Sequence, residues 1–203
     1  MKTRLSKDPI NVIITGVGGQ GNVLASRVLA GMLVNAGYYV TIGETFGMSQ
    51  RGGSVMSHLR ISEKSVMSPQ IPLGRADIII ALEPVEALRV LTKYGNPDVA
   101  VLANSRVVHP MGVITGELNY PSAEEMKNAL KRVSAKSWLI DATGEAVKLG
   151  NPVLSNLAMI GALSAANLLP IDRRAFEKEI AKKMTVEKCR INQLAFDAGA
   201  KMI

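Results

Sequence analysis

Two short segments of this sequence contain residues whose types and spacing suit them to bind a charged ligand. The first has the glycine spacing G-x-G-x-x-G, in which Gly16, Gly18 and Gly21 hold the fixed positions and Gly19 and Gln20 lie between them. The first glycine permits a tight turn, the second lets the backbone approach a phosphate, and the third allows a helix to pack closely on a strand. Because a helix N-terminus attracts anions, the segment predicts an anion-binding turn. A tight turn that binds nothing has the same pattern.

The second segment, residues 44–54, surrounds one arginine with glycines and small polar residues. The guanidinium group of Arg51 is suited to two-pronged hydrogen bonding with a carboxylate or a phosphate. The residues expected to face a cofactor or a partner chain are Glu44, Ser49, Gln50, Arg51, Gly52 and Gly53. Residue types alone fit a surface loop at a subunit interface equally well.

Few other residues are capable of chemistry. The one cysteine, Cys189, excludes a disulfide framework and a zinc site of the Cys₄ or Cys₂His₂ type. The histidines, His58 and His109, have no acid or second histidine at metal-ligand spacing, so no metal site is expected. Neither a nucleophile elbow nor a P-loop pattern is present. The chain is not expected to contain a complete active site.

The pattern of apolar residues predicts the elements that must position these segments. A β-branched run at 11–15 predicts a buried strand, and it precedes the glycine turn, a helix over 23–36 and a strand over 38–42. Such a strand–helix–strand unit contributes to a parallel sheet. Further strands are predicted at 55–61, 76–82, 99–103 and 138–141, and helices at 85–91, 122–133, 173–183 and 186–200. A loop is predicted at 44–54, and a loop or hairpin at 107–120. Glu44 follows the second strand slightly too late for a ribose-binding acid, so the turn predicts a phosphate-bearing ligand better than it identifies NAD.

These elements predict an α/β fold of Rossmann-like, three-layer form, with a mostly parallel sheet and C-terminal helices. The 203 residues fit a single domain, with a sheet core over about 11–148 and a helical part over about 152–203. The uncharged stretch 149–171 contains asparagines, serines and prolines, so it predicts a buried helix and not a membrane span. Its second, small-residue face is expected to meet a partner subunit or, in the isolated chain, a second copy.

The formal net charge of +7 is concentrated at the two ends of the chain. Residues 1–10 contribute +2 and residues 173–203 contribute +4. A nucleic-acid-binding protein more often has a continuous basic stripe and aromatic stacking platforms, so no nucleic acid is expected as a partner. An acidic partner subunit or an acidic ligand fits this charge better than nucleic acid does, and solvated helix faces are the alternative. The charged start of the sequence favours a cytoplasmic location.

Several motifs, in order along the chain, resemble the gamma-type subunits of 2-oxoacid:ferredoxin oxidoreductases. The glycine turn is followed by Met-Ser-Gln-Arg-Gly-Gly-Ser at 48–54, Ser-Pro-x-Ile-Pro at 68–72, Ala-Leu-Glu-Pro-x-Glu-Ala at 81–87, Asp-Ala-Thr at 141–143 and Gly-Asn-Pro at 150–152. The similarity extends from about residue 11 to the C-terminal helices and is greatest to subunits of enzymes that act on indolepyruvate.

The resemblance implies a chain that works within a complex. A large (alpha) subunit would bind thiamine diphosphate and magnesium and carry the [4Fe–4S] clusters. The complex would decarboxylate indolepyruvate or another arylpyruvate, transfer electrons to ferredoxin and pass the acyl group to coenzyme A. This chain would bind no cofactor tightly by itself, and its glycine turn would hold coenzyme A phosphates or nothing. The alternatives are a stand-alone nucleotide-binding module and a non-catalytic regulatory or assembly subunit.

The Arg51→Ala substitution is expected to lower the activity of the reconstituted complex, because it removes the guanidinium group of the 44–54 segment. The expected cause is a higher Michaelis constant for coenzyme A or weaker assembly. Steady-state kinetics and the yield of the complex in gel filtration measure the two effects. Unchanged kinetics and an unchanged yield would contradict the prediction.

Overall fold

Strands and helices alternate through most of the described part of the chain, which comprises residues 4–47 and 53–203 of a computed structural model. The strands are β1 (Ile10–Val17), β2 (Tyr39–Phe46), β3 (Ser54–Ser62), β4 (Ile78–Ala81), β5 (Ala100–Asn104) and β6 (Lys136–Ile140). The helices are α1 (Asn22–Asn35), α2 (Pro84–Tyr94), α3 (Met111–Ile114), α4 (Ala123–Val133), α5 (Ala142–Lys148), α6 (Ser155–Ala165), α7 (Arg173–Ile180) and α8 (Val186–Ala200). A 3₁₀ turn, Pro152–Leu154, precedes α6.

The strands form one six-stranded sheet in the order β2-β3-β1-β4-β5-β6. Strands β1, β4, β5 and β6 are parallel, whereas β3 runs antiparallel to both of its neighbours, β1 and β2. All strands except β3 therefore point the same way, which confirms the predicted mostly parallel α/β sheet. The predicted unit of β1, α1 and β2 is present, but β3 separates its two strands.

Helices cover both faces of the sheet and give the predicted three layers. Val12 and Ile14 of β1 pack into a core that includes residues of α1, α6, α7 and α8. Ile13, which points to the opposite face, packs with residues of α2 and α4. Because successive side chains of a strand alternate between faces, a strand covered on both sides must be apolar throughout. This requirement explains the continuous β-branched run in β1.

Strands β2 and β3 form an antiparallel hairpin that the sequence did not predict. Strand β2 extends to Phe46, and the N–H of Gly47 donates to the carbonyl of Ser54 at 2.8 Å. The prediction that a loop begins at Glu44 was wrong, since Glu44 pairs with Ser57 in the ladder. Glycine and glutamate are depleted in strands, so the local propensity at 43–44 favoured a loop, whereas pairing with β3 favours an extended backbone.

Helix starts follow their capping residues. The predicted capping box at α4 is confirmed, since Glu125 N–H donates to Ser122 Oγ at 3.3 Å and Ser122 N–H to Glu125 Oε2 at 2.8 Å. The sequence did not predict α5, whose cap is Asp141, or α3, which lies where a loop or hairpin was predicted. Asp141 Oδ1 accepts from the N–H of Gly144 at 2.8 Å.

Helix α6 lies in the middle of the helical layer, and residues 155–163 are all buried. Helix α8 crosses α6 at two glycines, where the backbones lie too close together to admit a Cβ. A Cβ on Gly161 would overlap the carbonyl oxygen of Phe196, and a Cβ on Gly199 would overlap that of Ala158. The predicted buried helix is confirmed. The prediction that its second face meets a partner subunit or a second copy was wrong, since Ser155, Met159 and Ala162 of that face are buried within the chain. No helix in the described ranges is long and apolar enough to cross a membrane.

The Gly199→Ala substitution is expected to lower the free energy of unfolding by about 3 kcal/mol, because α6 and α8 must separate to admit a methyl group. Ala198→Ser is a matched control, since it adds one heavy atom at the neighbouring, half-buried position and should cost less than about 1 kcal/mol. Urea denaturation followed by circular dichroism measures both losses. Equal losses would show that the backbones of the two helices do not make the close contact.

Candidate functional site

The carboxyl ends of β1, β4, β5 and β6 lie along one edge of the sheet, because these strands are parallel. Helix α1, which follows β1, packs on one face of the sheet, and α2, which follows β4, packs on the other. In an open α/β sheet, a crevice opens where the helices that follow two neighbouring strands pack on opposite faces. Ligands bind in the crevice between the two loops. The glycine turn and the turn between β4 and α2 therefore flank the candidate site.

The glycine turn has the conformation expected of an anion-binding turn. The φ angles of Gly19 and Gly21 are 102° and 85°, a region that side chains disfavour. Gly21 is the N-cap of α1 and makes no side-chain cap hydrogen bond, and the first turn of α1 contains no acid. The first backbone N–H groups of a helix have no intrahelical acceptor. A cleft of about 310 Å³ lies in front of them, lined by the turn, the start of α1, Phe46 and Val55.

Gln20 joins the glycine turn to the neighbouring strand. Its Oε1 accepts from the N–H of Val17 at 2.8 Å, and its Nε2 donates to the carbonyl of Leu82 at 3.0 Å. A Cβ on Gly16 would lie 2.6 Å from Gln20 Oε1, so glycine at this position makes room for the side chain. The amide of Gln20 is thus engaged within the fold, and a ligand contact by it would break one of these bonds.

A buried polar network that the sequence did not predict connects the turns at this edge. Asn104, which is 1% exposed, donates from Nδ2 to the carbonyl of Leu82 at 3.1 Å and to Thr143 Oγ1 at 2.8 Å. The N–H of Thr143 donates in return to Asn104 Oδ1 at 3.2 Å. Thr143 therefore attaches α5 to the end of β5, which explains the Asp-Ala-Thr motif physically. The sequence signal that could have indicated this network is one asparagine, Asn104, directly after the apolar residues of a predicted strand.

Two buried glutamates line the other side of the crevice. Glu83 accepts from the N–H of Glu86 at 2.9 Å and from the hydroxyl of Tyr120. Glu86 accepts from Ser54 Oγ at 2.5 Å and pairs with Arg89 at 2.9 Å. Burial, and then the hydrogen bond to Glu83, raise the pKa of Tyr120 well above its ordinary value, so the phenol remains a proton donor. Each of the two carboxyl groups accepts hydrogen bonds from two donors. Glu83 and Glu86 therefore connect α2 with its neighbours.

The hairpin of β2 and β3 ends beside the glycine turn. The N–H of Gly18 donates to the carbonyl of Gly53 at 2.9 Å, and Ser54 is bonded to Glu86 as above. Gly47 and Gly53, which flank residues 48–52, therefore lie at the crevice. The predicted contact residues Ser49, Gln50, Arg51 and Gly52 lie outside the described residues.

Glu44 lies in β2 and not in a loop near the glycine turn. In dinucleotide-binding folds the acid that binds the ribose follows the strand next to the first one. Here β3 occupies that place, and neighbouring strands lie about 4.8 Å apart, so β2 lies about 10 Å from β1. This topology does not support an NAD site at the turn.

The remaining candidate residues make structural contacts. His58 is 1% exposed, its Nδ1 accepts from the N–H of Ile71 at 3.4 Å, and its ring stands edge-on to Tyr94. Burial lowers the pKa of His58, which favours the neutral ring. Cys189 is a half-buried free thiol, and His109 contacts Tyr120 edge-on. Within residues 4–47 and 53–203, no cluster of three or more His, Cys, Asp or Glu residues could hold a metal ion.

The open α/β sheet, with a glycine turn at its crevice and with its buried acids engaged in structural bonds, defines a domain of the Rossmann-like class. The model of the pyruvate ferredoxin/flavodoxin oxidoreductase family matches residues 11–202, so the chain belongs to that family. The resemblance inferred from the motifs is therefore confirmed.

Relatives of similar length support the same assignment. The chain is 38% identical to the indolepyruvate oxidoreductase subunit IorB of Thermococcus kodakarensis over 94% of each chain. It is 36% identical to the subunit of that name from Archaeoglobus fulgidus, over 94% of this chain and 93% of that one.

Two solved structures share the fold at low sequence identity. The PORC subunit of pyruvate oxidoreductase from Thermotoga maritima matches with a TM-score of 0.71 and 20% identity over 97% of each chain. The 2-oxoglutarate:ferredoxin oxidoreductase of Magnetococcus marinus matches with a TM-score of 0.75 and 20% identity, and covers 97% of this chain but 31% of that longer chain.

The Gly21→Ala substitution tests how tightly the turn is built. A Cβ on Gly21 would overlap Asn156 Nδ2, which donates to the Gly21 carbonyl at 3.3 Å, whereas a Cβ on Gly150 would meet nothing within 4 Å. The two glycines have nearly equal φ angles of 85° and 89°. Gly150→Ala should therefore lower the free energy of unfolding by about 1 kcal/mol, from backbone strain alone. Gly21→Ala should cost about 1–2 kcal/mol more, since the buried Asn156 must move.

Urea denaturation of the two variants measures this difference. Equal losses of stability would mean that Asn156 does not restrict the turn.

Proposed function

We propose that this chain is the small subunit of a 2-oxoacid:ferredoxin oxidoreductase that acts on indolepyruvate or another arylpyruvate. The observation that carries the proposal is the similarity to the Thermococcus kodakarensis subunit, at 38% identity over 94% of both chains. The geometry of the crevice agrees with a subunit role. Because Glu83, Glu86 and the Nδ1 of His58 are held in structural contacts, the reacting groups are proposed to come from another chain.

A large (alpha) subunit is proposed to hold the thiamine diphosphate, the magnesium ion and the [4Fe–4S] clusters. Such a cluster requires four cysteine thiolates, and this sequence contains one cysteine, which is half-buried in α8. The residues of this chain do not fit a cluster, so no electron-transfer step is assigned to them. In the complex, the arylpyruvate would lose carbon dioxide, its electrons would pass to ferredoxin and its acyl group to coenzyme A.

The glycine turn is proposed to receive the phosphates of coenzyme A. The uncapped start of α1 supplies backbone N–H groups and the positive end of a helix dipole, a contribution of about 0.3–1 kcal/mol to the binding of an anion. No described residue that lines the cleft is charged. Binding by this chain alone should therefore be weak. The large subunit, together with the proposed contact residues Ser49, Gln50 and Arg51, is expected to complete the site in a cytoplasmic complex.

Co-expression with the large subunit tests the proposal. Neither chain alone should catalyse coenzyme A-dependent reduction of ferredoxin by indolepyruvate, whereas the two together should. The rate with indolepyruvate should exceed that with pyruvate by at least about tenfold, which corresponds to about 1.4 kcal/mol of discrimination.

Two controls separate the alternatives. Normal turnover by the large subunit alone would make this chain a regulatory or assembly subunit. Calorimetric titration of the isolated chain with NAD⁺ should show no binding at millimolar concentrations, because β3 separates Glu44 from the glycine turn. Micromolar affinity for NAD⁺ would instead support a stand-alone nucleotide-binding module.

A further inference from the structure

Strand β2 forms one edge of the sheet and lacks the usual protection of an edge strand. It is eight residues long, contains one charged residue, Glu44, and has no proline. Its register with β3 is unbroken, so it has no bulge. Strand β6, at the opposite edge, is five residues long and begins with Lys136. Long edge strands with few charges and with no proline or bulge readily pair with other strands.

One hydrogen bond at the end of β2 shows which backbone groups face outward. Because the N–H of Gly47 donates to the carbonyl of Ser54, these two residues form a hydrogen-bonded pair of the antiparallel ladder. Bonded and non-bonded pairs alternate, so Thr41, Gly43 and Thr45 bond to β3. The residues whose N–H and C=O groups face away from β3 are Val40, Ile42, Glu44 and Phe46.

These outward groups have no backbone partner within the described residues. They form a row of alternating donors and acceptors, and the outward-facing residues repeat about every 6.8 Å, which is twice the rise per residue of a strand. A row with that period matches the backbone of an extended polypeptide. The chemistry of the edge therefore specifies a β-strand as its ligand.

The side chains along this edge would gain burial from an added strand. Val40 and Ile42 pack against the margin of the core and are only partly buried. Tyr39 and Phe46 are 47% and 61% exposed. Phe46 also lines the cleft in front of the glycine turn, so a strand paired along β2 would end beside the crevice.

We propose that β2 receives an extended segment of the large subunit as a seventh strand of the sheet, an inference that rests on the proposed function. The solved 2-oxoglutarate:ferredoxin oxidoreductase contains the same fold as 31% of a longer chain, so this fold is also found joined to further polypeptide. Under the proposed function, the reacting groups at the crevice come from the large subunit. A strand of the large subunit on β2 brings that chain to the crevice, which a second copy of this chain does not do.

The Glu44→Pro substitution tests the proposal. Proline removes an outward N–H, and edge strands tolerate it because the ladder to β3 does not use that group. Glu44→Ala is the matched control, since it removes the same carboxylate and keeps the N–H. Thermal unfolding of the isolated variants checks that both remain folded. Glu44→Pro should bind the large subunit at least tenfold more weakly than Glu44→Ala, because the two variants differ in the outward N–H and both lack the carboxylate.

Amide hydrogen exchange of the wild-type chain provides a measurement that does not depend on the proline variant. In the isolated chain, the amides of Thr41, Gly43 and Thr45 should exchange slowly, because they bond to β3. The outward-facing amides, those of Val40, Ile42, Glu44 and Phe46, should exchange fast. In the complex these four should gain protection as well.

The outcomes distinguish this inference from the proposed function. Unchanged binding by Glu44→Pro and unchanged exchange in the complex would overturn the docking of a strand on β2 and leave the subunit role intact. A wild-type chain that is dimeric by itself, and that only Glu44→Pro makes monomeric, would identify a second copy as the occupant and overturn the proposal. If the wild-type chain does not bind the large subunit, both proposals fall.

Discussion

The structure depends on the burial of β1, whose eight residues are all removed from solvent. A strand in this position must find hydrogen bonds on both edges and apolar contacts on both faces. Strand β4 pairs with one edge of β1 in parallel, and β3 pairs with the other edge in the antiparallel direction, so both edges have hydrogen-bond partners. Because β3 returns directly beside β1, β2 is displaced to the margin of the sheet. The burial of β1 therefore determines both the crevice at its carboxyl end and the position of β2 at the edge of the sheet.

The polar groups around the crevice mainly hold its geometry. Leu82 accepts hydrogen bonds from both Gln20 and Asn104, so one carbonyl joins the turns that follow β1 and β5 to the end of β4. Glu83 and Glu86 join α2 to the segment that contains Tyr120 and to the start of β3. Paired buried polar groups make a local structure rigid. Asn22, which lines the cleft, differs from them, since its buried Oδ1 has no hydrogen-bond partner among the described residues. Such an arrangement suits a chain that presents a surface to a catalytic partner more than one that moves protons itself.

The packing of α8 on α6 changes where a partner is expected to bind. From the sequence, the uncharged stretch 149–171 was the expected contact surface, because apolar and small residues line two faces of its helix. The structure buries both faces within the chain, and Gly161 and Gly199 allow the backbones of the two helices to approach. The carboxyl edge of the sheet and β2 are therefore the surfaces proposed for the partner.

Sequence alone determined the elements whose signals are local. The β-branched run of β1, the glycine turn, the capping box at Ser122 and the family motifs each depend on residues close together in the chain. Only the tertiary structure decided the place of β2, because Gly43 and Glu44 disfavour a strand until β3 pairs with them. It also decided the roles of Asn104 and Gln20, each of which bonds to the carbonyl of Leu82, 22 and 62 positions away along the chain. Contacts between distant residues leave no periodic pattern in a single sequence, so the position of β2 at the edge of the sheet depends on the sheet order and not on any local signal.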